Sequence, residues 1–122
     1  MKGLKRSNGF SLIEMIIALL ILAIALLALA GLMVSTTKNN SFGGHMTEAS
    51  TFAQDKVEEL KVSSYGNVVP GADTRTGSTG INYTRTWTVS NNANSSQKWI
   101  TVKVDWNDRT NHSISFLSVI QP

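Results

Sequence analysis

The chain has no cysteine and only two prolines in 122 residues. Without cysteine there is neither a disulfide framework nor thiolate chemistry. Charge is also sparse: Asp, Glu, Lys and Arg make up 16% of the chain, and the net charge is +3. Lys2, Lys5 and Arg6 account for all of that excess, because eight basic residues remain to balance eight acidic ones. No basic patch lies elsewhere, so nucleic acid is not an expected partner. Residue sets that carry catalysis or metals are missing too. Glu58 and Glu59 are adjacent and cannot share a helix face, so they are no general acid/base pair. His112 lies near Ser113 and Asp108, but adjacency in a turn and strand is not a triad. His45 has no cysteine, second histidine or carboxylate cluster to complete a ligand set, and it reads as a solvated residue on a helix surface. There is no glycine-rich phosphate loop. The expectation is a protein that is not an enzyme and holds no cofactor and no metal.

Apolar residues are present in quantity, 42% of the chain, and they are concentrated near the start. Residues 1–9 (MKGLKRSNG) are short, basic and polar. Residues 10–34 follow as FSLIEMIIALLILAIALLALAGLMV. From Met15 to Val34 no side chain is polar, and as a helix this stretch spans about 30 Å, the thickness of a bilayer core. Basic residues before it and none just after it favour an N-terminus left in the cytoplasm. The remainder is rich in Ser, Thr, Asn and Gly, in the manner of an extracytoplasmic domain with one modest core.

Three readings compete for the N-terminal segment. A cleaved secretory signal would use Ala28-Leu29-Ala30 as its small-residue site before Gly31. The apolar run, however, extends on both sides of a normal signal core. A plain uncleaved anchor explains the length and gives Glu14 no role. The third reading explains Glu14, because a carboxylate placed in an apolar span is costly and is functional as a rule. Gly9-Phe10-Ser11-Leu12-Ile13-Glu14 closely resembles the cleavage signature of type IV prepilins and pseudopilins. By that resemblance a prepilin peptidase cuts between Gly9 and Phe10 and N-methylates Phe10. Glu14 then becomes the family's glutamate, fifth in the mature chain. Its carboxylate would pair with the Phe10 amine of a neighbouring subunit in a filament and set the register between helices.

The helix is expected to continue outside the membrane. Phe42, Met46, Ala49, Ala53, Val57 and Leu60 recur at helical spacing, with Phe52 to one side. The opposite face carries Glu48, Gln54, Asp55, Lys56, Glu58, Glu59 and Lys61. Between the two halves, Ser35–Gly44 (STTKNNSFGG) is weak helix former, and Gly43 and Gly44 each cost about 1 kcal/mol relative to alanine. A bend, fraying or break is expected there. Residues 66–80 hold four glycines and Pro70 and read as a loop. Three strands are expected after it, from the alternation of Ile81, Tyr83, Trp87 and Val89, then Ile100, Val102, Val104 and Trp106, then Ile114, Phe116 and Ile120. Short Asn-rich turns make an antiparallel meander the economical topology. Its apolar face should pack on the Ala49–Leu60 stripe, with Trp87 and Trp106 in the core and Trp99 out of phase, facing solvent or a partner.

The expected fold class is therefore α+β, a long N-terminal helix on a small antiparallel sheet of about three strands, which is pilin-like. The boundaries are a leader at 1–9, a transmembrane and filament-core helix at 10–34, an amphipathic continuation at 35–65, a loop at 66–80 and the sheet at 81–122. Residues 53–61 (AQDKVEELK) and the W-x-V…I-x-V-x-V-x-W pattern resemble minor pilins of the PilV type and I-type minor pseudopilins of type II secretion. The resemblance implies a minor pilin of a type IV pilus, held in the inner membrane with its sheet domain in the periplasm and then built into the filament. Its partners would be prepilin peptidase, other pilins or pseudopilins through the N-terminal helix, and the inner-membrane assembly platform. A minor pseudopilin shares every feature named. A secreted or membrane-anchored binding module, the secreted form cut after Ala30, is the alternative of another class.

Overall fold

The computed structural model describes residues 3, 8–94 and 96–122. A single helix, α1, runs Leu12–Val62. A short 3-10 helix follows at Tyr65–Asn67. Then come four strands: β1 (Gly71–Thr76), β2 (Asn82–Asn91), β3 (Lys98–Asp108) and β4 (Thr110–Ile120).

α1 carries no break. The expected interruption at Ser35–Gly44 does not occur, and helix continues through both glycines. Helix formation is cooperative, so a weak stretch propagates once strong formers on either side have nucleated. The hydroxyls of Thr37 and Thr47 donate to the carbonyls of Met33 (2.9 Å) and Gly43 (3.0 Å), one turn back, rather than competing for amides. At the far end Lys61 lies in the last turn, where its charge complements the helix dipole.

The chain divides into two compact units, Met1–Asn39 and Asn40–Pro122. In the first, every described side chain is exposed. The second holds the core. Its sheet has the order β1-β2-β3-β4, with each neighbouring pair antiparallel. The meander expected from the turns is present, with one more strand than expected. β1 lies inside the stretch that reads as a loop. Its composition hides it, because the inward position 73 is an aspartate rather than an apolar residue.

Strand alternation sends Tyr83, Ile100, Val102, Val104, Trp106 and Ile120 to one face, where they meet Ala49, Ala53 and Leu60 of α1. Ala49 and Ala53 are fully buried, and their small side chains let the helix lie close to the sheet. Trp106 is a core residue. Trp87 is half-buried at the core margin, and its indole donates to the carbonyl of Val69 (3.0 Å). Gly71 lies opposite Trp87 in the β1–β2 register. A Cβ there would come 2.6 Å from the Trp87 ring, so the strand can pass only as glycine. Gly80 takes the left-handed conformation (φ 82°) in the turn between β1 and β2. On the outer face, Trp99 is exposed beside Val119, as its phase implies.

The buried face of α1 is rotated from the expected stripe. Phe42 and Met46 are exposed, while His45 and Lys56 are buried. His45 was expected to be solvated and Lys56 to lie on the polar face. Both go inside because the sheet supplies partners for them, described below.

Candidate functional site

The candidate site is the start of α1. Asn8, Gly9 and Phe10 are non-helical and exposed, and no atom of the structure lies within 4 Å of where a Gly9 Cβ would stand. Among the described residues, the Gly9–Phe10 junction is thus exposed and outside the helix. The basic leader residues Lys2, Lys5 and Arg6 lie outside the described residues.

Ser11 ends this open stretch. Its carbonyl accepts the first intrahelical bond, from the Met15 amide at 3.2 Å. Its hydroxyl accepts from the Glu14 amide at 3.3 Å. These two bonds define an N-cap. Ser11-Leu12-Ile13-Glu14 has the S-x-x-E spacing of a capping box. Sequence reasoning overlooked Ser11, although that spacing was in view. Glu14 therefore lies in the first turn, where the helix dipole favours negative charge. It is the sole ionisable side chain from Phe10 to Thr37. Among the described residues, no cation lies within ion-pair distance of it. The helix that follows is long and apolar enough to cross a membrane, and none of that apolar stretch is buried by the rest of the chain.

A second set of polar groups lies between α1 and the sheet. Arg85 on β2 is buried. It donates through Nε (2.6 Å) and a terminal nitrogen to the Asp73 carboxylate, and through the other nitrogen to the Phe52 carbonyl (3.1 Å). The guanidinium holds the Asp73 carboxyl below its usual range. Lys56 lies 4.0 Å over the Trp87 ring and 3.0 Å from Glu59. Further along the helix, Glu48 accepts from the amide (2.7 Å) and hydroxyl (2.6 Å) of Ser78 and from the Tyr83 hydroxyl (2.8 Å). The Ser78 bonds lower the Glu48 carboxyl below its usual range. Burial, and then donation to Glu48, push the Tyr83 phenol upward. His45 Nδ1 meets the Tyr83 hydroxyl at 3.1 Å, and its Nε2 lies 3.3 Å from Asp108. His112 instead packs between Phe42 and Trp106. Each of these groups joins helix to sheet or one strand to the next.

Residues 4–30 match the family model described as the prokaryotic N-terminal methylation motif. No curated protein and no solved structure matches the chain. The motif and the fold of one long, N-terminally apolar helix on an antiparallel sheet point the same way. They support a protein of the type IV pilin-like or pseudopilin kind, a structural subunit whose N-terminal helix fits inner-membrane anchoring. A motif of that kind implies processing by prepilin peptidase and assembly with other pilins.

Proposed function

We propose that the chain is a minor pilin of a type IV pilus. The observation that carries this reading is the exposed, non-helical Gly9–Phe10 junction. It lies directly before a capped helix whose apolar stretch, as far as Val34, carries Glu14 as its one charge. The precursor is held in the inner membrane by residues 10–34, with the leader in the cytoplasm and the sheet domain in the periplasm. Prepilin peptidase removes residues 1–9 and methylates the new Phe10 amine. That step discards Lys2, Lys5 and Arg6 and leaves an ammonium at the head of an apolar helix.

In the filament, a Glu14 carboxylate pairs with the Phe10 ammonium of a neighbour. A lone charge among packed apolar helices is strongly disfavoured, so the pair selects one axial register. The assembly platform extracts the subunit into the filament, where it initiates or caps the structure with other minor pilins. Its work is structural, and the chemistry is done to it.

The test is the intact mass and N-terminal peptide mass of the protein isolated from membranes and from sheared filaments. A chain that begins at methylated Phe10 is expected. A chain that begins at Gly31, or an uncut Met1, would sink the reading. The Glu14→Ala variant should be cut normally and be lost from filaments. Its normal incorporation would remove the pairing role.

A further inference from the structure

We propose that Ser11 positions the Gly9–Phe10 bond for cleavage, by stopping α1 short of that bond. The inference rests on the reading that this bond is the one cut. A peptidase must reach both faces of its target peptide. In a helix that peptide's amide and carbonyl are engaged with the neighbouring turns, so the target must lie outside it.

Phe10 by itself would not hold the helix back. It continues the apolar run of residues 12–34, and an unpinned helix can slide its start by a residue or more. Ser11 pins that start. Its hydroxyl occupies the Glu14 amide at 3.3 Å, and its carbonyl takes the Met15 amide at 3.2 Å. The amide at position 14 belongs to one of the four residues whose donors a helix leaves open at its N-terminus. Beside an apolar segment entering lipid, water is a poor substitute for the serine oxygen, so the cap matters more there than at an ordinary surface. The result is a helix that begins at Leu12, with Phe10 and Gly9 outside it.

Without the cap, the start of the helix becomes an ensemble. Some members fray toward Glu14, and others carry helix into Phe10 and the target bond. Only a fraction then offers the bond in the correct place, and apparent affinity falls by that fraction. Chemistry on the bound bond is unchanged. Loss of the cap should therefore raise KM for the peptidase and leave kcat alone.

The experiment measures cleavage of full-length chain by prepilin peptidase in detergent, with the product mass read at each time point. Ser11→Thr and Ser11→Val are matched in shape, and only threonine caps. Ser11→Val and Ser11→Ala should raise KM about fivefold at constant kcat, while Ser11→Thr stays near wild type. Ser11→Asn caps without a hydroxyl and should also stay near wild type. Equal KM for Ser11→Val and Ser11→Thr would overturn the proposal. So would a defect in Ser11→Asn as large as that in Ser11→Ala, since it would mean that the peptidase reads the hydroxyl itself. If wild-type chain is not cut between Gly9 and Phe10, the underlying reading fails. If it is cut there and all four variants behave alike, only the role of Ser11 fails.

Discussion

The two units of this chain place their apolar residues in opposite ways. From Phe10 to Val34 every side chain is exposed. Among the described residues from Asn40 onward the large apolar side chains turn mostly inward, and three polar or charged residues, His45, Lys56 and Arg85, are buried with them. Among the described residues, the first unit buries none of its apolar side chains. The second is its own complement. Substitutions in the two should therefore be felt in different assays, the first in insertion and assembly and the second in folding stability.

The sharpest way to break that comparison is to disturb the seam between α1 and the sheet. Arg85 is almost wholly buried, whereas the Asp73 side chain keeps contact with water. Removing the carboxylate leaves a buried cation with only the Phe52 carbonyl for company. Asp73→Ala should cost about 3 kcal/mol of unfolding free energy, toward the low end for a broken buried pair. Arg85→Met should cost less, because the abandoned carboxylate can be hydrated. Denaturant titration of the full chain in detergent, followed by tryptophan fluorescence, measures both. If Asp73→Ala unfolds at the wild-type midpoint, the ion pair is not what joins β1 to the core.

That seam also marks where sequence reasoning stopped. The long apolar helix and the meander of β2, β3 and β4 were legible, because each is written in local sequence pattern. Arg85 falls in phase with Ile81, Tyr83, Trp87 and Val89 and so belongs to the buried face by register alone. Its partner lies 12 residues away on a strand with no apolar alternation. Nothing local distinguishes Asp73 from a loop residue. The helix face suffered in the same way. Ala49, Ala53 and Leu60 suit either of two neighbouring stripes, and the choice between Met46 and His45, or between Val57 and Lys56, is made by the sheet. Tyr83 and Asp108 take His45 inward, and Trp87 takes Lys56.

A smaller effect should appear in acid. Glu48 and Asp73 are both held below the usual carboxylate range in the folded protein. A depressed folded value means that the folded state binds protons less readily than the unfolded chain. The stability these groups contribute is complete above the unfolded values, about pH 4, and is lost as pH falls from there through the lower folded values. Thermal midpoints should therefore be flat near neutrality and fall in acid. Glu48→Gln removes one of the two titrating groups while keeping an acceptor for Ser78, so its acid slope should be shallower. Identical acid slopes for wild type and Glu48→Gln would mean that the Glu48–Ser78–Tyr83 cluster does not contribute.

The least effect, and the one that most sharpens the boundary between the units, concerns Gly43 and Gly44. Both are helical and exposed, and a Cβ at either would meet no atom within 4 Å. No packing in the chain requires glycine there, so alanine should stabilise the helix by about 0.8–1 kcal/mol at each position. Amide exchange across Ser35–Gly44 reads this directly. In wild type these amides should exchange faster than those of Ala49–Leu60, which the sheet covers. Gly43→Ala and Gly44→Ala should slow them while leaving the exchange of β2 and β3 unchanged. If the alanines slow exchange in the strands equally, helix and sheet unfold together and the weak stretch is no boundary. If filament incorporation falls while stability rises, the open side of Gly43 and Gly44 is where a neighbouring subunit packs.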